Sequence, residues 1–135
     1  MMGLKAGEHY TYNQQNNVIT FYNGSEIILK DLDWVPSDPQ YDKLGSLEIS
    51  GAFLDESQQL TRVAYSVVKS RIRFKLNEYN LKPKVLLTCN PGANFLKSDF
   101  YDPWIKNTLD KGKIFVQSLI TDNPHVSQDY IDNLR

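Results

Sequence analysis

Ile49-Ser50-Gly51-Ala52-Phe53-Leu54-Asp55-Glu56 is a short apolar run that stops abruptly on two acids, and Lys84-Val85-Leu86-Leu87-Thr88 repeats the plan ahead of Asn90-Pro91-Gly92. Brief apolar runs with sharp polar ends read as parallel strands buried on both faces. Between them Leu60, Val63, Ala64, Val67, Val68, Ile72 and Leu76 recur at three-and-four spacing. That spacing lines them along one face of an amphipathic helix of about 16 to 18 residues. Downstream, a helical stretch is expected around Phe95 to Leu109, a third strand over Lys113 to Leu119, and a last helix begun by Ser127 as N-cap. Upstream, Val18 to Tyr22 and Glu26 to Lys30 are rich in β-branched and aromatic residues, and Asn23-Gly24-Ser25 between them favours a tight turn, so they read as a hairpin. Trp34 to Leu44, with Pro36, Pro39 and no periodicity, reads as an exposed connection and a poor place for a core. Strands alternating with helices imply an α/β fold with a parallel sheet, here in one domain.

The bulk numbers narrow the function classes. At 135 residues, folding is expected to bury roughly two thirds of the surface an extended chain exposes. Hydrophobic residues at 41% and charged residues at 23% argue against disorder and against a fibrous class. With 15 basic against 16 acidic residues the net charge is -1, so no global attraction to phosphate or anionic lipid exists and any nucleic-acid contact must be local. No apolar run is long enough to span a bilayer, and Met1 to Tyr10 lacks the apolar centre of a signal peptide, so a cytoplasmic location is expected. Cys89 stands alone and is expected in the core, and His9 and His125 have no zinc-site spacing.

In open α/β sheets ligands sit beyond the carboxyl ends of the strands, which here carry polar groups suited to metal or phosphate. Two adjacent acids delivered by an apolar strand match the second nucleotide motif of P-loop ATPases. There the first acid holds Mg²⁺ and the second orients and deprotonates the attacking water. The competing structural reading is that Asp55 and Glu56 open the next helix, where its dipole and its caps favour acids. Thr88 and Asn90 add a hydroxyl and an amide at the neighbouring strand end, where such ATPases sense the γ-phosphate. The competing reading of Asn90-Pro91-Gly92 is a plain turn.

Taken in series, these segments resemble the ATPase domain of the large terminase subunit of tailed phages and prophages, from about Val18 to Arg135. The pieces are Ile19 to Ile27 with its Asn-Gly-Ser turn, Leu44-Gly45-Ser46, Gly51 to Ser57, Ser70-Arg71-Ile72-Arg73, Leu86 to Pro91, and Thr121 to Ile131 with its Asp122-Asn123-Pro124. The resemblance implies a P-loop NTPase-like (ASCE) parallel-sheet core, incomplete, with an N-terminal β-hairpin. It assigns Asp55 to Mg²⁺, Glu56 to general base, and Thr88 with Asn90 to coupling. Arg71 and Arg73 are candidate contacts to phosphate, DNA or a neighbouring subunit, with a solvated, acid-paired helix face as their structural alternative. The family's arginine before the glycine is replaced by Leu44, and Lys43 lies one residue away. No G-x-x-x-x-G-K-[ST] loop occurs in the 135 residues, so the backbone cradle for phosphates is lacking. The chain is accordingly expected to be part of a larger protein, with ATP and Mg²⁺ as its cofactors. Double-stranded DNA, a portal protein and a small terminase subunit are the implied partners, and a homo-oligomeric ring the implied assembly. A helicase or other translocase, and a non-catalytic interaction module of the same fold, are the alternatives.

Overall fold

The computed structural model describes residues 3–133. They form a mixed α/β structure containing a three-stranded antiparallel sheet and a two-stranded parallel sheet. The chain divides into two compact units. One comprises residues up to Gly51 together with Leu60–Pro83, the other Ala52–Gln59 together with the residues from Lys84 onward.

In the first unit β1 (Tyr10–Asn13), β2 (Val18–Phe21) and β3 (Glu26–Ile28) make a meander in which Tyr10 faces Phe21 and Val18 faces Ile28. The expected hairpin is β2–β3. Gly24 turns it with φ +81, and the Asn23 side chain accepts a hydrogen bond from Ser25 N at 3.0 Å, the Asx-type turn that Asn-Gly favours. Strand β1 was not anticipated, although Tyr10-Thr11-Tyr12 has the composition of one.

The Trp34–Leu44 segment corrects the sequence reading: Tyr41 and Leu44 are 1% and 2% exposed and belong to the core. Asp38 is the cause. Its carboxylate accepts hydrogen bonds from Asp42 N at 2.6 Å and Lys43 N at 3.2 Å, which winds Asp42–Leu44 into a 3₁₀ turn behind Tyr41 in the left-handed region at φ 58. Tyr41, just before the turn, and Leu44, at its end, are both buried by this arrangement. A Cβ on Gly45 would stand 2.9 Å from Asp42 O, so that turn leaves no room for a larger residue.

Helix α1 (Arg62–Arg71) is 10 residues long, shorter than the periodicity suggested. Its start is fixed by Thr61, whose hydroxyl accepts a hydrogen bond from Ala64 N at 3.1 Å and pairs with the buried Tyr41 hydroxyl at 3.0 Å. Ala64 and Val68 fill the buried stripe. Ile72, counted as helical in sequence, instead leaves the helix to form a parallel bridge with Ile49, with Ile49 N bonded to Arg71 O and Arg73 N to Ile49 O. Leu60 and Leu76 lie outside the helix.

β4 (Gly51–Leu54), which belongs to the second unit from Ala52 on, and β5 (Lys84–Leu87) run parallel. They are not buried on both faces as expected. Leu54 is buried, Val85 and Leu87 are half-buried on the same face, and Phe53 and Leu86 on the other are 59% and 62% exposed. A π-helical turn, Lys97–Tyr101, runs into α2 (Asp102–Ile105), where a longer helix was expected. The third strand is absent. Lys113 to Leu119 joins no sheet among the described residues, and alternate residues pack on the helical segment instead: the Phe115 ring centroid lies 4.9 Å from that of Trp104 and 5.7 Å from that of Tyr101, and Lys113 Nζ reaches Asp99 O at 3.4 Å. Ile114 and Val116 face outward, 83% and 81% exposed. Helix α3 (Gln128–Asp132) starts at Ser127 as expected, with Tyr130 N bonded to its hydroxyl at 3.3 Å.

Candidate functional site

The site is built where β4 and β5 end side by side. Thr88 N donates to Leu54 O at 3.0 Å, which sets Thr88 opposite Asp55. Alternation then turns Asp55 and Thr88 to one face, that of Phe53 and Leu86. The Thr88 hydroxyl donates a short hydrogen bond to the Asp55 carboxylate across the pair. Beyond Asp55 the ladder slips by one residue, since Thr88 O accepts from Ser57 N at 2.8 Å rather than from Glu56. Glu56 occupies this bulge in the left-handed region at φ 47, a conformation that costs a residue with a Cβ roughly 1–2 kcal/mol.

Ser57 is fully buried and returns its hydroxyl to Leu54 O at 2.7 Å, fixing the turn Ser57–Gln59 that aims Glu56 outward. The Glu56 carboxylate accepts from the Gln59 amide at 2.6 Å. The competing role for the two acids, capping the following helix, falls to Thr61. The loop after β5 is tied to this turn by Gln58, whose side-chain oxygen accepts from Asn90 N at 3.1 Å and whose carbonyl accepts from the Asn94 amide at 3.1 Å.

Asp55, Glu56, Thr88 and Asn90 are thus brought together within one unit, around an open depression of about 240 Å³ completed by Gln58 and Cys89. Cys89 is exposed there, not in the core as expected. Gln58 was overlooked in the sequence. The polar run Glu56-Ser57-Gln58-Gln59 directly beyond an apolar strand is the signal that marks it. Lys43, Arg71 and Arg73 belong to the other unit. Lys43 Nζ reaches Asp33 O at 3.5 Å, Arg73 pairs with Glu48 at 3.1 Å, and Arg71 Nε is buried without a hydrogen-bond partner.

The depression lies below the roughly 300–1,000 Å³ of sites that enclose a whole small ligand. Among the described residues no group of three or more acidic, His or Cys side chains converges on a metal position. Two carboxylates and a hydroxyl suit Mg²⁺ better than zinc, because Mg²⁺ binds through one or two carboxylates and keeps water and substrate phosphate as its other ligands. No helix among the described residues is long and apolar enough to cross a membrane. Compared with models of protein families, with curated proteins and with solved structures, the chain matches none of them.

Proposed function

We propose that this chain carries the metal-and-water half of the ATP site of a DNA-packaging ATPase resembling a large terminase subunit, on an incomplete P-loop NTPase-like core. The observation that supports this reading is the pair of parallel strand ends, with Asp55 bonded to Thr88 and Glu56 beside them. Asp55, held by the Thr88 hydroxyl, is the residue that holds Mg²⁺. The bound ion supplies neutralisation of charge on the β- and γ-phosphates. Glu56 is the general base: its carboxylate takes the proton of the attacking water, and the Gln59 amide that binds it orients it. Asn90, tied through Gln58 to the turn bearing Glu56, gives the loop after β5 a mechanical link to the base, the arrangement a coupling residue needs. The whole protein then hydrolyses ATP to drive double-stranded DNA through a portal protein, with a small terminase subunit and as a ring of copies.

Sequencing the DNA upstream of the Met1 codon tests this. A phosphate-binding loop in frame within about 100 to 150 residues, a normal domain span, is expected. The longer protein should lose ATP turnover about 10²-fold or more on Glu56→Gln, in line with removal of a general base. ATP hydrolysis by the 135-residue chain alone, abolished by the same substitution, would overturn the need for that loop.

A further inference from the structure

The residues that line the depression at the strand ends include two acids, Asp55 and Glu56, and no base. A lone anion would meet the repulsion of both carboxylates. A phosphate group can therefore enter only beside a divalent cation, and its oxygens must then be met by neutral donors. The Thr88 hydroxyl is already occupied by Asp55, and the Gln59 amide by Glu56 at 2.6 Å.

The Gln58 amide is only half used. Its oxygen accepts from Asn90 N at 3.1 Å, and because an amide nitrogen cannot accept, that bond fixes which end of the side chain faces the loop after β5. The NH₂ end keeps its donors, which have no hydrogen-bond partner among the described residues. Gln58 is also held firmly. It is half-buried, its carbonyl accepts from the Asn94 amide at 3.1 Å, and Ser57 before it is fully buried with its hydroxyl on Leu54 O at 2.7 Å. Asn90 lines the same depression, but among the described residues no hydrogen bond orients its side-chain amide. Tying the two loops together needs only the oxygen of Gln58, which a glutamate would supply equally. The nitrogen is the part that the tie leaves over.

We infer that the Gln58 side-chain NH₂ is a phosphate-binding group of this site, donating to an oxygen of the terminal phosphoryl group while a cation on Asp55 offsets its charge. A donor already aimed by its own oxygen loses little freedom on binding, which is what preorganised recognition of an anion requires. The inference rests on the ATP-site reading and adds a residue to it: one side chain would join the terminal phosphate to Asn90.

Nuclear magnetic resonance of the isotope-labelled full chain, titrated first with Mg²⁺ and then with magnesium pyrophosphate, tests it. The Gln58 side-chain NH₂ resonances should shift when the pyrophosphate complex is added and respond far less to Mg²⁺ alone. Gln58→Glu keeps an oxygen for Asn90 N but exchanges the donors for a charge, so pyrophosphate affinity should fall about tenfold, the loss expected for a hydrogen bond to a charged group. Mg²⁺ affinity should stay the same or rise with a third carboxylate, whereas a damaged site would lose both ligands. An unmoved Asn90 backbone amide resonance checks that the tie survives. The uncharged Gln58→Met should weaken pyrophosphate binding by a similar factor, which charge repulsion cannot explain. Unshifted Gln58 NH₂ resonances, pyrophosphate binding by Gln58→Met equal to that of the unsubstituted chain, or no pyrophosphate binding while Mg²⁺ is bound would overturn the inference alone, since the ATP-site reading has its own tests in the upstream sequence and Glu56→Gln. Mg²⁺ that leaves the resonances of Asp55 and Glu56 unmoved would overturn both.

Discussion

Glu56 is the residue whose backbone and chemistry pull in different directions. It holds a left-handed conformation that glycine adopts freely, and its carboxylate accepts a hydrogen bond from the nearby Gln59. A position kept strained for its carboxylate predicts a trade. Glu56→Gly should leave stability unchanged or raise it by up to about 1 kcal/mol in urea denaturation, while removing the proposed general base. A loss of 2 kcal/mol or more would instead assign Glu56 a structural role. The acids and Thr88 were legible in sequence because a strand-end position is marked by an abrupt apolar-to-polar step. The bulge that separates their directions was not, since nothing in Asp55-Glu56-Ser57 signals a left-handed glutamate.

Among the elements, the two expected pairings, β2–β3 and β4–β5, hold, while strand β1 was missed and one expected strand is not formed. β2–β3, β4 and β5 all stand where short β-branched or apolar runs placed them, but period and composition could not show that Lys113 to Leu119 lacks a partner. Its inward residues, Lys113 and Phe115, find a helix and two aromatic rings instead of a sheet edge. The reverse error befell the 3₁₀ turn Asp42–Leu44, whose core role rests on one Asp38 carboxylate bonded to two backbone amides. Leu44→Ala should therefore cost about 2–5 kcal/mol, as for a buried leucine. Val63→Ala on the exposed side of α1 should stay within about 0.5 kcal/mol. Equal effects in thermal or urea unfolding would show that Leu44 is not part of the packed interior.

For the whole molecule the exposed apolar side chains have a direct implication. A chain that leaves Phe53, Leu86, Ile114 and Val116 open to water has apolar area and unpaired backbone available for association. Sizing chromatography across a concentration series should show self-association or, if monomeric, a low unfolding midpoint. A stable monomer at all concentrations would refute this. The cross-strand hydrogen bond at the candidate site carries one more consequence, this time for chain entropy. Asp55 and Thr88 are 33 residues apart, three times the 11-residue separation of Tyr10 and Phe21 in the meander. Loop closure at that ratio costs about 1 kcal/mol more, so the groups proposed to do the chemistry meet only after a far longer search than the hairpins require.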